Sequence, residues 1–157
     1  MLDRKTLDWE MLDGEMLDKK IKLCYSSFKN RNKEQLDMKN GHHNFRELNI
    51  WKNGMKIVKS TYQISKGLPN DEKFGLTSQI QRCSVSIPSN IAEGSGRSTE
   101  KDFIRFINIG LSSSYELETQ LILVNDLYKL ETDVLIEEIN ELQRMIIGFK
   151  RSLSSEN

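Results

Sequence analysis

Between Phe74 and Leu121 two long runs with helical periodicity meet at Gly94-Ser95-Gly96 (FGLTSQIQRCSVSIPSNIAEGSGRSTEKDFIRFINIGLSSSYELETQL). Such a pattern commits the chain to helices joined by a short break, and two further segments of the same kind flank it. In the first helix, expected over Phe45 to Lys66, Leu48, Trp51, Met55, Val58 and Tyr62 step by 3, 4, 3, 4, and Ile50, Ile57 and Ile64 form a second line beside them. Two adjacent lines make an apolar face broader than a two-stranded seam. Gly67 and Pro69 end this helix. The second is expected to start near Asn70 or Asp71, either of which can cap it, with Leu76, Ile80, Cys83, Ile87 and Ile91 on its apolar side. Pro88 has no N–H for the Ser84 carbonyl, so a kink or short break is expected there.

The third helix opens at Ser98 or Thr99, with Glu100 and Asp102 in its first turn to complement the helix dipole. Phe103, Phe106, Gly110, Ser113, Leu117 and Val124 keep the rhythm, and Ile104, Ile107, Leu111, Ser114 and Leu121 run alongside. The small residues Gly110 and Ser112 to Ser114 predict a close helix crossing. The fourth helix begins after Thr132 or Asp133 and carries Leu135, Ile139, Leu142, Ile146, Phe149 and Leu153 on one face. Its acidic residues gather at the start and its basic ones at the end. Four such helices with short connections predict an all-α, antiparallel up-down four-helix bundle with a Pro-kinked second helix. They carry more apolar surface than one inner seam needs, which points to contacts between subunits.

The chain divides at 1–44, an N-terminal extension; 45–153, the bundle; and 154–157, a short tail. In the extension Leu-Asp recurs every five residues from Leu2-Asp3 to Leu17-Asp18. Five steps turn a helix by about 140°, so these leucines share no face, and the period does not suit a strand. Lys29 to Asn44 is almost wholly polar and reads as linker. Residues up to about Asn44 are expected to be dispensable for the fold; the alternative is an additional helix over Trp9 to Phe28.

The charges balance, 23 Lys+Arg against 23 Asp+Glu, so the composition does not mark a nucleic-acid or membrane binder. No apolar run approaches the ~20 residues of a membrane span, and no signal peptide is visible, so a cytoplasmic location is expected. Cys24 and Cys83 fit no metal-ligand spacing.

The segments FRELNIWKNG, EKFGLTSQIQRCSVSIPSNIAEGSGRS, KDFIRFINIGLSSSYELETQL and EEINELQRMIIGFKRSL resemble the 23S rRNA intervening-sequence proteins. Relatives of these four-helix-bundle proteins include the accessory variability determinants of diversity-generating retroelements. The most specific block is Ser86 to Gly94 (SIPSNIAEG), and the Leu-Asp repeat has no counterpart in the family pattern. The resemblance implies an up-down bundle assembled as a ring-like homopentamer, association with RNA or DNA, and no enzyme activity; RNA or an RNA-handling protein is the expected partner, with no cofactor. The retroelement relatives are markedly basic, whereas the residues after Asp37 hold 15 acidic and 15 basic groups, which weakens the case for nonspecific nucleic-acid binding.

Arg82, Arg97, Lys101 and Arg105 flank the glycine turn. One reading makes them phosphate contacts near the bundle end; the other leaves them solvated or paired with Glu93, Glu100 and Asp102. Pro88, Asn90, Glu93 and Gly94 form the family motif and read as structural, with Asn90 and Glu93 bridging backbone at the proline and the turn. Glu93 as a general base lacks a nucleophile, a histidine or a metal set beside it. Glu116 and Glu118 raise the question of a metal site, but the Glu-x-x-His pairs of di-iron bundles are missing, and His42 and His43 fall in the polar linker. Trp51 reads as a core or interface anchor rather than a base-stacking platform. The leading expectation is a non-catalytic oligomeric adaptor; a small metal-binding or enzymatic bundle and a purely protein-binding module are the alternatives.

Overall fold

The computed structural model describes residues 43–154, so the Leu-Asp repeat and the alternative helix over Trp9 to Phe28 lie outside the described residues. Asn44 accepts the Arg46 N–H at 3.3 Å and so caps a 3-10 turn at Phe45–Glu47. Helix α1 then spans Asn49–Ser65, starting later than its apolar pattern suggests. Leu48 between the two is extended, and this turn of the backbone carries its side chain into the core at 1% exposure.

The next connection also differs from expectation. Asn70–Phe74 forms a second 3-10 turn, and α2 spans Leu76–Ser95. The start moves because Glu72, not Asn70 or Asp71, satisfies the first turn: its Oε2 accepts the Leu76 N–H at 2.6 Å. The carboxylate curls over Gly75, where a Cβ would collide with it. The helix runs without a break through Pro88, contrary to the short break that the missing N–H suggested. The buried proline ring lies against Gly54 of α1, where an added Cβ would come 3.4 Å from the Pro88 Cβ. That burial offsets the lost hydrogen bond.

Helix α3 covers Glu100–Tyr128. Thr99 caps it as expected, its Oγ1 accepting the Asp102 N–H at 3.1 Å and donating to Asp102 Oδ2 at 2.7 Å. Lys129 closes the helix in the left-handed region at φ 55°, with its N–H on the Asn125 carbonyl. Helix α4 spans Asp133–Ser154.

The described residues thus form a four-helix bundle with no strand. Each helix packs on two neighbours: α1 on α2 and α4, and α3 on the same two. The core is built from Ile80, Ile87 and Ile91 of α2, Phe103, Ile107, Leu117 and Leu121 of α3, and Ile139, Leu142 and Ile146 of α4, all 2% exposed or less. At about 1.5–3 kcal/mol for each fully buried large side chain, these stripes dominate the stabilisation.

In α1 the inward line is Ile50, Gly54, Ile57, Thr61 and Ser65. The line through Trp51, Met55 and Val58 is only half-buried, and Tyr62 is exposed. Of the two expected lines, the one through Ile50 and Ile57 turns inward, and the glycine and two hydroxyl residues that complete it were not part of the apolar count. Thr61 fits there by donating its hydroxyl proton to the Ile57 carbonyl at 2.8 Å. No helix among the described residues is long and apolar enough to cross a membrane.

Candidate functional site

The block from Ser86 to Gly94 lies where α2 meets α1 on one side and α3 on the other. Asn90 sends its Nδ2 to the Ser86 carbonyl at 2.8 Å and to Ser86 Oγ at 3.0 Å. Ser86 Oγ lies 2.9 Å from Ser113 Oγ on α3, and Ser113 donates to the Ile109 carbonyl at 3.0 Å. With the Ser113 proton so engaged and Ser86 Oγ already accepting from Asn90, Ser86 is the donor between the hydroxyls. A polar thread therefore ties two helices across a close contact. The small residues expected to permit a crossing do so: a Cβ on Gly110 would meet the Ile87 carbonyl oxygen at 3.3 Å and the Asn90 Cβ at 3.7 Å.

Gly94 is more tightly held. A Cβ there would come 2.7 Å from both Phe103 Cδ2 and Phe106 Cβ. Phe103 is itself pinned, with its ring centroid 5.6 Å from that of Phe149 and 5.0 Å from that of His43. His43, placed by its sequence surroundings in a polar linker, is thus half-buried against the core. Of the two residues expected to bridge backbone, Asn90 does so and Glu93 does not: the Glu93 carboxylate instead holds the Arg97 guanidinium one turn on.

The four cations do not gather in one place. Arg82 sits in the first half of α2, about 20 Å of helix rise at 1.5 Å per residue before the helix end at Ser95 that precedes Arg97, and lies 2.7 Å from Gln79 Oε1 and 3.6 Å from Glu116. Arg97 lies over the Phe106 ring, 4.4 Å from its centroid. Lys101 and Arg105 line a shallow groove on α3 with Asp102, Ile104, Asn108, Ile109 and Ser112. Lys150 of α4, absent from the sequence-derived set, joins them by donating to Asn108 Oδ1 at 3.1 Å. Only the fold brings this cation, 42 positions away, beside Asn108.

Glu116 is an exposed partner of Arg82 and Gln120, while Glu118 Oε2 accepts from Gln143 Nε2 of α4 at 2.8 Å. Among the described residues no three His, Cys, Asp or Glu side chains come together in a set able to hold a metal ion. Cys83 is buried at 2% exposure, and burial, with Glu116 nearby, pushes its thiol up to about 11. A thiol in that state is protonated and unreactive at neutral pH. Trp51 is half-buried and packs edge-on against Phe45, with ring centroids 5.2 Å apart.

A brace absent from the sequence reading joins the far end of the bundle. Tyr128 at the end of α3 donates its hydroxyl to Glu72 Oε1 at 2.5 Å, so one carboxylate caps α2 and anchors α3. The phenol, and then the Leu76 N–H, hold the Glu72 carboxyl below its ordinary range, and the same bond raises the phenol.

The fold and these surroundings define the class: an all-helical protein built on a four-helix bundle. The chain belongs to the 23S rRNA-intervening sequence protein family, whose defining pattern matches residues 46–148. Its fold is similar to the crystal structure of a protein with unknown function from the S23 ribosomal protein family of Bacteroides thetaiotaomicron, with a TM-score of 0.60 and 22% identity over 64% of this chain and 97% of that one. At that identity the likeness speaks for the fold. No curated protein matches the chain.

Proposed function

We infer that this protein is a non-catalytic, self-associating module that works as an assembly or adaptor element, with RNA or an RNA-handling protein as its partner and the cytoplasm as its location. The observation that carries the reading is the apolar surface left outside the core. Ile109, Tyr115, Ile122, Leu123 and Leu127 of α3 are exposed by 42% to 64%, more than a solitary bundle requires. An antiparallel up-down order is supported by facing pairs whose numbers run in opposite senses: Arg82 with Glu116 and Ser86 with Ser113, then Glu118 with Gln143 and Asn108 with Lys150. The family resemblance favours a ring of five copies.

The groove offers Lys101 and Arg105 to phosphate oxygens beside the carboxylate of Asp102, Lys150 reaches its Asn108, and Arg97 on its aromatic ring stands nearby in sequence. Light scattering tests the assembly: a native mass of several chains is expected, and a monomer at micromolar concentration refutes self-association. Gel retardation of structured rRNA fragments at two salt concentrations tests the partner. Binding that weakens with salt is expected, together with its loss on combined charge reversal of Arg97, Lys101 and Arg105. Reversal of the distant Arg82 leaves binding intact. No retardation at low salt refutes the RNA reading and leaves a protein partner.

A further inference from the structure

We draw no further inference here: the strongest candidate, the exposed apolar side chains of Phe74, Leu123 and Leu127 toward the end of the bundle that Glu72 and Tyr128 brace, carries nothing, because nothing in the structure shows what covers them.

Discussion

Replacing Gly94 by alanine tests the idea that the family block is a close-packing device. The substitution pulls stability in two directions. Alanine gains about 1 kcal/mol over glycine inside a helix. Against this, its Cβ would sit 2.7 Å from Phe103 Cδ2 and from Phe106 Cβ. Overpacking of this kind costs about 1–3 kcal/mol. The upper end applies here, because Phe106 Cβ cannot rotate away from its own backbone and the 2%-exposed Phe103 ring is wedged against Phe149. The net effect is a loss of about 2 kcal/mol, or roughly 8 °C in melting temperature. Gly96 supplies the control: it lies two residues on, has φ −89°, and an added Cβ would meet only the Glu93 carbonyl at 3.6 Å. Gly96→Ala is therefore expected to be neutral or slightly stabilising. Thermal melts and urea midpoints of both variants make the comparison. Equal stability of Gly94→Ala and wild type, or equal damage from both substitutions, would refute the reasoning.

The Glu72 brace predicts a pH dependence. Its carboxyl is lowered in the fold, so its contribution is present above the ordinary glutamate value of about 4.3 and fades as pH falls through the lower folded value. The Tyr128 phenol is raised, so the bond persists through neutral pH and is lost as pH climbs past the ordinary value of about 10 and through the folded one. Urea midpoints for wild type and Glu72→Gln should differ most near pH 7 and converge in strong acid; a constant gap argues against the brace. At the N-terminus, removal of residues 1–42 should leave the melting temperature nearly unchanged. Removal of His43 and Asn44 as well should lower it, since the cap of the 3-10 turn and the packing of His43 on Phe103 are both lost. A large drop on the shorter deletion would show that the extension supports the fold.

Much of the architecture was legible because helical periodicity is a local property. The positions of Ile80, Cys83, Ile87 and Ile91, or of Leu135, Ile139, Leu142 and Ile146, mark inward faces before any partner is known, and all eight are buried. The Thr99 cap and the close crossing at Gly110 are local signals of the same kind. Site geometry was less legible. Arg82 looked like a neighbour of Arg97 because both flank one motif, yet more than half of α2 separates them. Lys150 gave no hint of its place because it comes from another helix.

The chain by itself determines that four amphipathic helices form, roughly where they start and stop, and which small residues let them approach, since these follow from side-chain spacing and backbone chemistry within one or two turns. Only the tertiary structure decides which of the two apolar lines on α1 turns inward, that Glu72 caps α2 while holding Tyr128 56 positions away, and that Lys150 reaches Asn108. Those outcomes depend on where a neighbouring helix stands, and that position is set by the packing of all four helices together, which no single stretch of sequence encodes.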